Sequence, residues 1–315
     1  MVRSLRRLGG SLANVPVIAV VGRPGAPLSV FTRAELTRLG VRLIKAERAR
    51  NAFSWFNYAN KVVATTIANE IATTENIAWI DSDILFVGEP KGLLLAENED
   101  FAARCDPIMT AVEDGNTKGR AYWTQLCKVT LSNFDELIRI ESGGPQGGKV
   151  LYFNSGVMIW RRSSAFAYVY ADSFRRLLRS RIAQSDGSFF AADQVILNSV
   201  VTRARLRWRH MRYQDHHMMF PGLIDGSIAA PPMTESSIIH YSGSLTPPYR
   251  DSFIARLTRE RPDAARWLAE AEADLHNIRS TKVGALTARW LKAWRGLHWR
   301  IYAARTRRCI DVSAD

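Results

Sequence analysis

The sequence is poor in cysteine, short of acidic residues relative to basic ones, and without a long apolar run. Its three cysteines, Cys105, Cys127 and Cys309, are widely spaced in 315 residues. No CxxC and no Cys/His ligand spacing occurs, which argues against a structural zinc site and a disulfide scaffold and fits a reducing compartment. No uncharged apolar stretch approaches the ~18 residues that a membrane-spanning helix needs. A basic segment, Val2 to Gly10, precedes the apolar run Val15 to Val21 as in a signal peptide. That run is short, contains Pro16 and ends in Gly22-Arg23-Pro24-Gly25, so a first buried strand is the better reading and a cytoplasmic location is expected. Internal repeats and low-complexity tracts are also absent.

Asp and Glu number 30 against 43 Lys and Arg, a formal net charge of +13. Three partners suit that balance: nucleic acid, an anionic membrane surface, or an anionic small substrate. With 47% apolar and 23% charged residues the composition is that of a globular chain, which excludes disorder as the main state.

Strands are predicted over Val17–Val21, Val41–Ile44, Ile77–Val87 (interrupted at 81–83), Phe101–Val112, Val150–Trp160 and Ile238–Tyr241. Helices are predicted over Ala34–Leu39, Trp55–Ile71, Ala165–Arg179 and Phe189–Val201. Glu113–Lys118 reads as a polar loop and Ser142–Gly148 as a Gly-rich turn. Alternating strands and helices imply an α/β domain whose mostly parallel sheet carries helices on its faces.

The most informative stretch is Ile77-Ala78-Trp79-Ile80-Asp81-Ser82-Asp83-Ile84-Leu85-Phe86-Val87. Residues i and i+2 of a strand share a side, so two carboxylates would project together from a segment suited to burial. Burying unpaired carboxylates costs several kcal/mol each or forces protonation. A hard divalent cation, magnesium or manganese, removes that cost and leaves positions free for phosphate oxygens. The bland alternative is a turn at Asp81 and an Arg partner for Asp83.

Other polar residues interrupt apolar segments. In Phe153-Asn154-Ser155-Gly156-Val157, Gly156 permits close approach of a ligand to the backbone, and Asn154 offers a donor and an acceptor to a hydroxyl. A β-bulge with a hydrogen-bonded Asn accounts for the pattern equally well. Asp193-Gln194 opens a helix, where Asp also serves simply as a cap. His240 ends a strand before a polar turn. It is a structural histidine or the imidazole completing a manganese site built on carboxylates. Lys61 reads as a solvated helix lysine, with a phosphate contact as the alternative. His216 and His217 line an acceptor pocket or belong to a structural loop.

Taken in order, these motifs resemble the glycosyltransferases of the GT-A fold, and most closely glycosyltransferase family 8. The segments are Asp81-Ser82-Asp83, Phe153-Asn154-Ser155-Gly156, Asp193-Gln194-Val195-Ile196-Leu197-Asn198 and His240-Tyr241-Ser242-Gly243, spread over roughly residues 15 to 250. The resemblance implies a GT-A-like, Rossmann-type fold and transfer of a sugar from a nucleotide-sugar donor, with a UDP-sugar favoured. It also implies retention of anomeric configuration and a divalent cation, manganese over magnesium, held by Asp81, Asp83 and His240. Asp81 would also contact the ribose, Asn154 and Asp193 would grip donor-sugar hydroxyls, and Gln194 would lie beside the anomeric carbon. Ser155, Gly156 and Gly243 complete the implied donor site. Thr246 stands where the family has a phosphate-binding lysine, and Arg250 is the nearby residue able to supply that charge.

The C-terminal region has a different character. No Asp or Glu occurs between Ser280 and Arg308, where Lys and Arg recur. Leu286, Trp290, Ala293, Trp294, Leu297 and Ile301 fall at helical spacing, with Trp299 and Tyr302 at the edge of that face. Such a helix suits the interface of an anionic membrane, or docks on the domain by its Trp face. No nucleic-acid recognition motif occurs, so nucleic acid is not an expected partner. The expected division is therefore a GT-A-like domain over 1–255 and a basic, aromatic helical extension over 256–315, acting on a glycan or glycolipid acceptor from the membrane periphery. Rival readings are a nucleotidyltransferase and a non-catalytic carbohydrate- or lipid-binding protein of the same fold.

Overall fold

The computed structural model describes residues 1–22, 27–46, 53–106, 117–140, 149–183, 191–224, 231–275, 282–304 and 307–308. The chain opens with helix α1 (Val2–Leu8), strand β1 (Val17–Val21), α2 (Val30–Arg38), β2 (Val41–Lys45) and α3 (Ala59–Ile71). Next come β3 (Asn76–Ile80), β4 (Ile84–Phe86), β5 (Phe101–Cys105) and α4 (Thr117–Thr130). A short pair, β6 (Arg139–Ile140) and β7 (Lys149–Val150), leads into the long β8 (Phe153–Arg161) and α5 (Phe166–Ser180). β9 (Ile182–Ala183), α6 (Ala192–Val195), α7 (Leu197–Arg203), β10 (Trp208–His210), β11 (His217–Met218), α8 (Pro221–Ile224) and β12 (Ile238–His240) follow. The chain continues through α9 (Arg250–Glu260), α10 (Pro262–Leu275), α11 (Lys282–Ala304) and β13 (Arg307–Arg308).

The strand order β10-β5-β8-β3 forms the central sheet. Its pleat divides the core in two. Phe101, Ala103, Met158 and Trp160 face a helical layer built from α3, α4, α5 and α7. Ala102, Val157 and Ile159 face the other way, onto Leu5 of α1 and onto Ile84, Phe86 and Ile238. Those last residues belong to a second sheet, β11-β12-β4. The far side of that sheet, Leu85 and Ile239, is covered by Phe253 and Leu257 of α9 and Ala264, Ala265 and Leu268 of α10. β8 lies at the centre, buried from Phe153 to Trp160.

The α/β layering is as the sequence predicts, but strand directions are mixed. β10 runs parallel to β5, whereas β8 is antiparallel to both β5 and β3. An unbroken apolar run reports burial on both faces and carries no information on direction. The first strand is half-buried along its length, because β1 pairs only with β2 in a separate parallel ribbon. α2 begins at Val30, earlier than periodicity suggests, because the Ser29 hydroxyl accepts from the Thr32 amide and caps it. α3 begins only at Ala59, after turns at 55–58. The helix expected across Phe189–Val201 is broken at Ile196 into α6 and α7. α1 and α4 were not legible from the apolar pattern. Residues 107–112, 113–116 and 142–148 of the expected strand, loop and turn, and Cys309, lie outside the described residues.

The predicted division at 255 falls within α9. The C-terminal helix α11 docks through the residues at the edge of the expected apolar face. The Trp299 ring stacks on Phe56 at 5.9 Å, Tyr302 lies 5.0 Å from Trp55, and the Tyr302 hydroxyl donates to the Leu178 carbonyl. Leu286 and Trp290 remain 64% and 65% exposed, with Leu297 and Ile301 also at the surface. Tyr302→Ala is expected to cost about 3 kcal/mol through lost packing and an orphaned carbonyl. Leu286→Ser should change stability by less than about 0.5 kcal/mol. Urea midpoints at constant m-value measure both.

Candidate active site

The two strands flanking Asp81-Ser82-Asp83 belong to different sheets, β3 to the central one and β4 to the small one. The three residues form the turn between them, so their convergence comes from a sheet-to-sheet crossing and not from strand alternation. The backbone is tied at both ends: the Asp81 amide donates to the Gly156 carbonyl at 2.9 Å, and the Tyr241 amide donates to the Asp83 carbonyl at 3.1 Å. His240 pairs with Ile84 in the antiparallel register of β12 and β4, which brings its imidazole to the same turn. One ligand atom from each of Asp81, Asp83 and His240 lies within 4.8 Å of the other two. His240 Nε2 is 3.4 Å from Asp83 Oδ1.

The donor set and its surroundings fit a divalent cation. Two carboxylates and one imidazole suit manganese or magnesium. Gly156 packs against the His240 ring so closely that a Cβ there would overlap it, so only glycine leaves His240 in place. Both aspartates remain open to solvent, with side-chain exposures of 25% for Asp81 and 37% for Asp83. Burial raises the Asp81 carboxyl above its ordinary range, against the opposing charges of Lys61 and His240. Burial acts the same way on Asp83, but the contact with His240 outweighs it and leaves that carboxyl below its ordinary range.

Lys61 is not a solvated lysine. Its side chain is 7% exposed, and its ammonium lies 3.2 Å from Asp81 Oδ2, 3.1 Å from Asp193 Oδ2 and 2.8 Å from Ser155 Oγ. Burial alone would lower its pKa, but the two carboxylates overcome this and raise it. Trp79 Nε1 donates to the other oxygen of Asp81 at 2.6 Å. Asp193 is not a helix cap: α6 starts from Ala191 with no side-chain cap, and Asp193 Oδ2 instead accepts from Ser155 Oγ at 2.8 Å. Asp193 Oδ1 is buried with no partner.

Gln194 is held at both ends of its amide. Its oxygen accepts from the Ser155 amide at 3.1 Å, and its nitrogen donates to Asp106 Oδ2 at 3.2 Å. Asn154 donates to the same Asp106 oxygen at 3.0 Å and accepts from the Gly156 amide at 2.8 Å. The structure thus brings Asp81, Asp83, Asn154, Ser155, Gly156, Asp193, Gln194 and His240 together. Gly243 lies in the turn after β12 with φ +72°, a conformation that favours glycine. Arg250 opens α9 with its guanidinium 3.8 Å from Asp251. His216 and His217 are buried: His216 Nε2 is 3.1 Å from His240 Nδ1, and His217 Nδ1 is 2.9 Å from Ser236 Oγ.

Residues 1–205, well over half of the chain, match the family model described as the Rhodobacterales glycosyltransferase domain. The chain belongs to that glycosyltransferase family. Among curated proteins none matches it. Solved structures similar to it include the apo form of the bifunctional glycosyltransferase WbbM, at 16% identity over 74% of this chain and 43% of that one, TM-score 0.42. The glycosyltransferase GlyE of Streptococcus pneumoniae TIGR4 is similar at 14% identity over 85% and 60%, TM-score 0.46. The galactosyltransferase LgtC, in complex with donor and acceptor sugar analogs, is similar at 14% identity over 84% and 90%, TM-score 0.45. This chain therefore spans less than two thirds of WbbM and of GlyE. Similarities so distant carry no residue role or substrate over to this glycosyltransferase.

Sequence reasoning passed over Asp106, Trp79 and the buried state of Lys61. Asp106 carries a weak signal, an acid inside the apolar segment Phe101–Val112. Nothing in the local pattern around Lys61 separates a buried ion pair from a solvated helix face. In the folded glycosyltransferase, burial holds the His217 imidazole down at about 4, against 6.5 for the free group, and burial lowers His216 in the same direction. The unfolded chain therefore takes up protons first as pH falls. Stability should be full above about pH 6.5 and should fall toward pH 4, by about 2 kcal/mol from His217 between pH 7 and 5. Urea midpoints at the two pH values test this, and His217→Gln should reduce the difference.

Proposed function

We propose that this glycosyltransferase is metal-dependent and transfers a hexosyl group from a nucleotide sugar, a UDP-sugar favoured, to a hydroxyl of a glycan or glycolipid, with retention of configuration. The observation that carries this reading is the convergence of Asp81, Asp83 and His240 on one point at a solvent-open turn. Charge supports it. Asp81, Asp83, Asp106 and Asp193 crowd the site, and Lys61 is bonded to only two of them. A chain of net charge +13 thus keeps a carboxylate-rich centre, which favours a cation there.

Asp81, Asp83 and His240 would hold the ion, with manganese favoured. When bound, it would supply positive charge to offset the negative charge developing on a departing nucleoside diphosphate. The unpartnered Oδ1 of Asp193 is a buried acceptor suited to a donor-sugar hydroxyl, because leaving it unmet costs free energy that a hydroxyl recovers. Ser155 and Lys61 fix the orientation of Asp193, and Asp106 fixes Asn154 and Gln194. Gln194 is a poor nucleophile, and its carboxamide oxygen is already accepting from Ser155. Its place is that of an electrostatic neighbour to the anomeric centre, with the acceptor hydroxyl attacking from the face the diphosphate leaves. Arg250 and the Gly243 turn would approach the diphosphate.

The exposed side of α11 supports a peripheral membrane role. Leu286, Trp290, Leu297 and Ile301 are exposed on a helix bearing Arg289, Lys292, Arg295 and Arg300. No helix among the described residues is long and apolar enough to cross a membrane. Lying in an anionic interface would bring the enzyme to the surface that carries a glycolipid acceptor.

Asp83→Ala should abolish sugar transfer from a nucleotide donor and remove manganese-dependent thermal stabilisation by that donor. Gln194→Ala should leave measurable turnover. Activity equal to wild type in Asp83→Ala would refute the metal site. Trp290→Glu with Leu297→Glu should weaken co-sedimentation with phosphatidylglycerol-containing vesicles at least tenfold while leaving the melting temperature unchanged. Equal sedimentation of wild type and variant would remove the membrane assignment.

A further inference from the structure

A histidine that holds a metal through Nε2 needs something at Nδ1 to fix its ring and its tautomer, most often a carboxylate or a carbonyl. Here the partner is a second imidazole. His216 Nε2 lies 3.1 Å from His240 Nδ1, and the rings are close to coplanar, 20° apart with centroids at 5.3 Å. That is the arrangement of an in-plane hydrogen bond between ring nitrogens. His216 is fully buried, its amide directed at the Arg212 and Tyr213 carbonyls, and it immediately precedes β11. β11 pairs in parallel with β12, Met218 standing opposite His240. The sheet register thus presets the distance between the two rings.

We infer that His216 is a positioning residue for His240: it orients the ring toward Asp81 and Asp83 and accepts the Nδ1 proton that His240 must carry when Nε2 holds a cation. This rests on the metal site proposed above. The hydrogen-bond partners assign the tautomers. Without a cation, the Asp83 carboxylate 3.4 Å from His240 Nε2 favours a proton on that nitrogen. His240 Nδ1 then accepts from His216 Nε2–H. His216 Nδ1, buried with no partner, is left as a bare lone pair, the less costly of its two states. With a cation on His240 Nε2 every proton changes place. His240 donates from Nδ1, His216 accepts at Nε2, and His216 carries its own proton on Nδ1. One proton is lost from His240 Nε2 and one gained at His216 Nδ1, so none is released overall. A carboxylate or carbonyl in the place of His216 could only accept, and would hold His240 in the cation-ready form at all times. An imidazole can take either role, the cation-bound state carrying the cost of an unpartnered Nδ1–H on His216.

The test uses the full chain and manganese alone, with free Mn²⁺ followed by electron paramagnetic resonance. His216→Phe keeps a ring but no acceptor. It should weaken manganese binding by about 10- to 100-fold. His216→Gln puts a carboxamide oxygen near the place of Nε2 and should bring affinity back to within about threefold of wild type. Unchanged affinity in the Phe variant, or equal weakening in both, overturns the inference. If the Phe variant does not fold, nitrogen-15 spectra of the histidines in the wild-type chain, with and without Mg²⁺, decide it. The expected result is a switch of His240 from the Nε2–H to the Nδ1–H form, accompanied by the reverse role at His216. The same tautomers under both conditions overturn it. Wild-type protein that binds neither cation defeats the metal reading itself, whereas tight binding indifferent to His216 defeats only this step.

Discussion

The site depends on one buried ion pair network. The Lys61 ammonium sits between Asp81 and Asp193, carboxylates that come from a sheet-to-sheet turn and from a short helix far along the chain. Without it the buried Asp193 would face a low-dielectric interior with no countercharge, at a cost of several kcal/mol, and the partly exposed Asp81 would lose its nearest cation. With it, β3, β8, α3 and α6 are joined at one point, because Lys61 also donates to the Ser155 carbonyl and hydroxyl on β8. The same lysine leaves Asp83 unneutralised. The site therefore holds more carboxylates than Lys61 neutralises, a surplus that supports the cation proposed above.

A second constraint comes from the small sheet. β12 joins β4 on one side and β11 on the other, so a single strand sets His240 against both Asp83 and His216. Asp83 immediately precedes β4 and His216 immediately precedes β11, and Gly156 clears the space that the His240 ring occupies. His216 and His217 carry a cost: burial lowers both, so the packing that holds them also makes the fold sensitive to acid.

The C-terminal helix docks on the domain by part of its aromatic face and leaves the rest exposed. Trp299 and Tyr302 secure one side of α11 to the aromatic cluster around Trp55 and Phe56, and the side bearing Trp290 and Leu297 stays exposed. Periodicity gives an apolar stripe and its width, but not which edge of the stripe meets the protein. Here the edge residues carry the docking, since a large ring anchors a helix at few contact points.

The resemblance carried by the order of motifs implied that Asp81, Asp83 and His240 belong together, while apolar patterning gave the α/β layering and composition a basic aromatic helix near the end of the sequence. The last two are local properties: residue type, burial pattern and spacing. The tertiary structure alone decided the antiparallel course of β8, the break at Ile196, the burial of Lys61, and the meeting of Asp106 with Asn154 and Gln194. Each of these depends on what lies opposite in space. A lysine on a helix is solvated or buried according to the charges brought to it from other elements. The partner of His240 at Nδ1 was fixed by strand register between segments more than 20 residues apart, a pairing for which the sequence carries no periodic mark.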